Sequence, residues 1–83
     1  MTKRRAGFAR YWLRCPDQRP YLTPDRREAL SKCFEAYELA CSAALLWEKS
    51  VARDAPKIAE EYRRLISELE DEITTALRAR PKP

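Results

Sequence analysis

The last third of the chain carries the clearest hydrophobic pattern. Between residues 56 and 79, apolar residues recur at intervals of three or four, the spacing that places side chains on one face of an α-helix. Asp54 and Pro56 mark the start of this helix, and Pro81 and Pro83 mark its end. The residues of its apolar face are Ile58, Tyr62, Leu65, Ile66, Leu69, Ile73, Ala76 and Leu77. Their uneven intervals favour globular helix packing over a long coiled coil.

A second helix is predicted over residues 23–53. Thr23 is a capping residue, Pro24 suits the first helical position, and nothing that breaks a helix follows before Arg53. The predicted core face of this helix consists of Leu30, Cys33, Phe34, Tyr37, Cys41, Ala44, Leu45 and Val51. The short segment 52–56 then joins the two helices as an antiparallel hairpin.

The second half of the same helix carries apolar residues on a further side. This outer patch consists of Ala36, Leu39, Ala40, Ala43, Leu46 and Trp47. Exposed apolar patches of about a few hundred Å² usually mark an interface. The candidate contact residues of the outer patch are Leu39, Ala43, Leu46 and Trp47. Two helices alone cannot bury both sides. The patch therefore needs the N-terminal segment, a second copy of the chain or a partner to cover it.

The first 22 residues combine a basic aromatic arm with a proline-rich connector. Phe8, Tyr11 and Trp12 recur at helical spacing, although residues 11–15 also alternate as a strand would. A single glycine in 83 residues argues against the tight turns of a sheet, so we favour a short helix whose rings pack on the rest of the fold. The sequence thus predicts one all-α domain over residues 1–83. It consists of a long antiparallel helical hairpin and a short N-terminal aromatic helix or arm, together a three-helix unit.

Charge and cysteine content narrow the class of protein. Residues 1–32 hold nine basic and three acidic residues, a net charge of +6, whereas the remainder holds eight basic and ten acidic ones, a net charge of −2. A basic arm attracts nucleic acid, membrane surfaces or acidic protein faces, unless it is only a solvated tail.

Three cysteines form no closed disulfide set, and no apolar run approaches the ~20 residues of a membrane span. We expect reduced thiols in a cytoplasmic protein, with a mitochondrial transit peptide as the alternative for the Arg-rich residues 1–15.

No catalytic, cofactor or metal constellation is recognisable. The chain has no histidine to act as a general base near neutral pH, and its single glycine excludes a phosphate-binding loop. It has no Cys-x-x-Cys pair to contribute to a zinc site. The carboxylates between residues 68 and 72 spread around a helix instead of converging. We therefore expect a non-enzymatic protein with no cofactor and no metal.

These features indicate a small binding protein that acts by steric and electrostatic occupation of a macromolecular partner. The partner is another protein or, in a homodimer, a second copy of the chain. Size and chemistry suggest an accessory or inhibitory protein of a mobile genetic element, such as a phage inhibitor of host defence. The alternatives are a nucleic-acid-binding regulator that uses the basic arm and a self-assembling structural protein. The candidate partner-binding residues are Arg4, Arg5, Arg10, Arg14, Tyr21, Arg26, Arg27, Arg63 and Arg64.

Overall fold

The computed structural model describes residues 2–79, and every regular element within that range is helical. The α-helices are α1 (Lys3–Arg14), α2 (Pro24–Ala29), α3 (Ser31–Lys49) and α4 (Ala55–Arg78). The proline-rich connector between α1 and α2 contains a 3₁₀ helix, Pro16–Tyr21. Helix α3 packs against both α4 and α1, which confirms the predicted all-α hairpin with a third, N-terminal helix.

Helices α3 and α4 run antiparallel, as their side-chain contacts show. Arg63 Nη1 donates to Glu48 Oε1 at 3.1 Å near the turn, and the Tyr37 hydroxyl donates to Glu70 Oε2 at 2.5 Å further along. The buried residues of α4 are Ala55, Ala59, Ile66, Ile73 and Leu77. Because alanine side chains are small, the two helices approach closely beside the turn.

The core follows most of the predicted apolar faces. It consists of Tyr11, Phe34, Tyr37, Ala40, Cys41, Ala44, Ile66, Ile73 and Leu77. Leu45, Leu65 and Val51 were also expected in the core, but all three are exposed. Val51 lies beyond the end of α3, so the helical spacing that placed it on the core face does not apply there. Ala40, assigned to the outer patch, is buried with the core instead.

Residues 23–53 form two helices rather than the predicted single one. Thr23 caps α2 as expected, since its hydroxyl accepts the backbone N–H of Arg26 at 3.3 Å. At Leu30 the backbone departs from helical geometry, with φ −100° and ψ 14°, and α3 begins at Ser31. Arg26 of α2 reaches the carboxyl end of α4. Its guanidinium donates to the carbonyls of Ala76 (2.9 Å), Leu77 (2.7 Å) and Ala79 (3.1 Å).

Helix α3 also ends earlier than predicted, at Lys49. Ser50 has extended backbone, and its hydroxyl accepts the N–H of Ala52 at 3.1 Å. A local side-chain bond of this kind competes with continuation of a helix. Pro81 and Pro83, which were predicted to end α4, lie outside the described residues.

The N-terminal segment is the predicted helix and not a strand. Thr2 caps α1, and Gly7 lies directly on the backbone of α3. A Cβ atom at this position would stand 1.8 Å from the carbonyl oxygen of Phe34, so only glycine permits the contact. Tyr11 is 0% exposed, and its hydroxyl shares a 2.7 Å hydrogen bond with Thr74 Oγ1 of α4. Helix α1 thus contacts both long helices and completes the three-helix unit.

Candidate partner-binding groove

A difference in helix length opens a groove beside α1. Helices α1, α3 and α4 contain 12, 19 and 24 residues, or about 18, 28 and 36 Å at the usual rise. Helix α1 lies beside the first half of α3, where Gly7 touches Phe34, and ends at Arg14. In the described part of the chain, no further helix continues along the hairpin from that point.

The groove has an apolar floor, and two exposed leucines lie at its edge. Its volume is about 420 Å³, within the range of ligand-binding clefts. Cys41, Ala44 and Ile66 are buried and form the floor, whereas Leu13 is 73% exposed and Leu45 is 44% exposed beside it. Two leucines facing water at the edge of an apolar cleft present the surface that a binding partner would bury.

Three arginines surround this floor, and all three were candidate partner-binding residues. Arg10, Arg14 and Arg63 line the groove together with Glu48. Two of them come from α1 and the third from α4, so the fold brings together residues that are far apart in the sequence.

Each of these arginines already contacts a carboxylate. Arg10 Nε donates to Glu38, and this hydrogen bond raises the pKa of the arginine further above its ordinary value. Arg14 Nε contacts Glu70 Oε2 at 2.9 Å. A guanidinium has five N–H donors, so each contact made through Nε leaves four donors for a partner's oxygen atoms. The ion pairs hold the arginines at the rim without using up their capacity to donate.

Arg63 is positioned in the same way from the other side. Its Nη1 contacts Glu48 at 3.1 Å and its Nη2 contacts Glu60 at 3.5 Å. These pairs are about half exposed, so they contribute little to stability.

The floor of the groove contains a buried cysteine whose pKa is shifted. Burial raises the pKa of the Cys41 thiol, and burial likewise raises the pKa of Cys15. Both therefore stay protonated near neutral pH, and the thiolate is the reactive form. Within residues 2–79 there is also no cluster of three or more side chains able to hold a metal ion, and no helix there is long and apolar enough to cross a membrane.

The other basic candidates at the N-terminal end lie away from the groove. Arg4 contacts Glu35 at 3.4 Å. Arg4 and Arg5 line a smaller cleft of about 170 Å³ together with Arg27. The Arg27 guanidinium lies over the ring of Phe8, 4.0 Å from its centroid, an arrangement that stabilises both groups.

The remaining candidates have separate places in the fold. Arg26 caps the end of α4, so its guanidinium is engaged within the chain. Tyr21 is partly exposed and lies under Arg78, with 5.4 Å from guanidinium to ring centroid. Arg64 is exposed on α4.

The outer patch is not covered by α1. Leu39 and Leu46 are 49% and 72% exposed, and Ala43 and Trp47 are partly buried. Phe8 and Tyr11 of α1 pack elsewhere, through the ring contacts Phe8–Phe34, Tyr11–Phe34 and Tyr11–Tyr37 in the core. The N-terminal helix is therefore not the cover that the outer patch was predicted to need.

The sequence pattern did not single out Leu13 or Leu45 as groove residues. Leu45 falls at the helical spacing of the predicted core face, and Leu13 follows the aromatic residues of the N-terminal segment. Neither is therefore recognisable as a groove residue from the sequence. The signal lies in the relative lengths of the predicted helices, because a short third helix leaves half of a long hairpin open. Comparison with known proteins finds no match among protein-family models, curated proteins or solved structures.

Proposed function

We propose that this protein is a non-enzymatic binding protein that acts by occupying another protein. Its groove receives a short segment in which apolar side chains are flanked by Asp or Glu. The observation that carries this proposal is the exposure of Leu13, at 73%, beside a groove of about 420 Å³ with an apolar floor. Burying such a side chain contributes about 1.5–3 kcal/mol.

The three arginines around the groove support the proposal that the partner segment is acidic. Arg10, Arg14 and Arg63 each donate to a carboxylate of the chain itself. A partner's carboxylates can be contacted by the remaining N–H donors, because guanidinium and carboxylate match in geometry. Apolar contacts then supply most of the affinity, and the ion pairs align the segment.

The placement of the aromatic rings supports a protein rather than a nucleic acid as the partner. Sequence-independent binding to single strands needs accessible rings on which bases stack. Tyr11 is fully buried, and Phe8 packs between Phe34 and Arg27. Trp12, at 37% exposed, is the ring of α1 that is most open to solvent.

A displayed library of short random peptides tests the proposal. Enriched sequences should contain Leu, Ile or Phe beside Asp or Glu. Leu13→Asp and Arg14→Glu should each weaken binding of a selected peptide at least about tenfold, the usual effect of losing a contact at the centre of an interface. Val51→Asp is the matched control, because Val51 is fully exposed away from the groove.

Two results would contradict the proposal. One is a library that yields no binder, or binders that are indifferent to Leu13→Asp. The other is a complex with nucleic acid in a low-salt electrophoretic shift that disappears with Arg4→Glu and Arg5→Glu, which would support the regulator instead.

A further inference from the structure

The outer face of α3 carries a short heptad seam. Ala36, Leu39, Ala43 and Leu46 follow one another at intervals of three, four and three residues, the spacing of the contact positions in a coiled coil. Within this outer seam, small and large residues alternate. Leu39 and Leu46 are largely exposed, Ala36 is exposed and Ala43 is partly buried.

We propose that the outer seam packs against the same seam of a second copy, with the two α3 helices antiparallel. In this register, Ala36 lies opposite the partner's Leu46, and Leu39 lies opposite the partner's Ala43. Each leucine therefore meets an alanine, and the two-fold axis repeats both pairs. Facing large side chains with small ones fills the space between two helices and allows them to approach closely.

Charges beside the seam select the antiparallel arrangement. Glu35 and Lys49 flank the seam on the same side, one at each end, two heptads apart. Glu35 contacts Arg4 of its own chain at 3.4 Å through Oε2, and this pair is about half exposed. In the proposed register, Glu35 lies opposite the partner's Lys49, and the two-fold axis supplies the second such pair. In a parallel pair the two charges would not meet, because residues on the same edge of the seam then lie on opposite sides of the pair.

The rest of the fold leaves this seam accessible. Helices α1 and α4 pack on the opposite side of α3, where its buried residues Phe34, Tyr37, Ala40, Cys41 and Ala44 lie. From Ala36 to Leu46 the seam is about 15 Å long. Such a small interface predicts a reversible dimer with a dissociation constant in the micromolar range.

Sedimentation at increasing chain concentration tests the dimer itself. The mass should rise from one chain toward two across the micromolar range. Leu46→Glu should weaken association about 100-fold or more, because it buries two uncompensated carboxylates against alanine. It should leave the fold intact, since Leu46 is 72% exposed. Val51→Glu, at another exposed apolar position, should have no effect.

A charge exchange tests the register. Glu35→Lys and Lys49→Glu should each weaken association about tenfold, since each replaces two attractive pairs with two repulsive ones. The double variant E35K/K49E should restore association, because it reinstates both pairs with the signs exchanged. Glu68→Lys and Lys57→Glu, exposed charges on α4, are the matched controls for the single changes.

Three outcomes would overturn the dimer. These are a chain that stays monomeric up to millimolar concentration, a dimer that is insensitive to Leu46→Glu, and single charge variants that the double variant does not rescue.

The proposed dimer is independent of the proposed peptide binding in the groove. Leu13→Asp should leave sedimentation unchanged, and Leu46→Glu should leave peptide binding unchanged, so the failure of one proposal is distinguishable from the failure of the other.

Discussion

Tyr37 and Glu70 join the two long helices at the point where α1 also reaches them. The Tyr37 hydroxyl donates to Glu70 Oε2 at 2.5 Å, and Arg14 Nε contacts the same oxygen at 2.9 Å. Because Tyr37 is fully buried, its hydroxyl depends on this carboxylate as a hydrogen-bond acceptor. One glutamate therefore satisfies a buried group from α3 and holds the end of α1.

Replacing Glu70 with Ala should cost more stability than removing the hydroxyl that contacts it. Glu70→Ala leaves the buried hydroxyl of Tyr37 without its acceptor, at a cost of about 1–3 kcal/mol. Tyr37→Phe removes the hydroxyl itself and therefore leaves no buried donor unsatisfied. Its cost should be about 1 kcal/mol or less. Urea unfolding of both variants and of the double variant measures the coupling, with Glu68→Ala on the exposed side of α4 as the control. Equal losses in the two single variants would contradict this account.

Stability should fall at alkaline pH. Burial, and then the hydrogen bond to Glu70, raise the pKa of Tyr37 above its ordinary 10.0. Burial likewise raises the pKa of Cys41 above 9.0. The folded chain thus keeps protons that the unfolded chain has released. This contribution to stability is complete below pH 9 and is lost as the pH rises through the folded-state values.

Each such group should lower the unfolding free energy by up to about 1.4 kcal/mol per pH unit. Urea unfolding measured from pH 8 to 11 should show the decline, and Tyr37→Phe should make it shallower above pH 10. Tyr21→Phe, which removes a hydroxyl from a partly exposed ring, is the control. A decline of the same slope in Tyr37→Phe would rule out this tyrosine as its source.

Gly7→Ala should destabilise the protein, although the same change usually stabilises a helix by about 1 kcal/mol. The added methyl group would meet the carbonyl oxygen of Phe34 at 1.8 Å, and that atom belongs to the backbone of α3. Helix α1 must shift, at a cost of about 1–3 kcal/mol. Thermal unfolding measures the change, and the exposed Ala9→Gly in the same helix reports the intrinsic preference alone. A rise in melting temperature for Gly7→Ala would contradict the close contact.

Arg26→Ala should loosen the end of α4. The variant loses donors to the carbonyls of Ala76, Leu77 and Ala79 at the end of α4, where helix carbonyls lack the usual intrahelical partners. The Ala76 carbonyl keeps a long bond of 3.4 Å from the N–H of Ala79. We expect a loss of about 1–2 kcal/mol in stability and faster amide exchange in the last turn of α4. Arg64→Ala, at an exposed position on the same helix, should change neither. Unaltered amide exchange in the last turn of α4 in the Arg26→Ala variant would show that the Arg26 guanidinium does not hold this turn.

The hairpin is predictable because α4 carries clear helical periodicity and a start signal at Asp54 and Pro56, and because no glycine or proline interrupts residues 31–49. The break at Leu30 is not, since the contact that accompanies it joins Arg26 to carbonyls about 50 residues away in sequence. The role of Gly7 is hidden for the same reason, because it depends on where the α3 backbone passes. Sequence spacing finds faces of helices, whereas these features belong to the arrangement between helices.

The groove shows the same limit. Arg10, Arg14 and Arg63 were predicted as contact residues because they are basic, but the sequence does not place them around one apolar floor. Leu45 was assigned to the core because its spacing is right. It is exposed because α1 ends before covering it, and the end of one helix relative to another is set by tertiary packing.

The bond between Tyr11 and Thr74 has a consequence for how the chain is made. These residues are 63 positions apart, so the hydroxyl of Tyr11 is synthesised well before its partner. At about 5–20 residues per second, several seconds separate the two. During that interval the rings of α1 can pack on Phe34 and Tyr37 of α3, whereas the bond to α4 requires the far half of that helix. The contact that joins α1 to α4 is therefore among the last to form during synthesis.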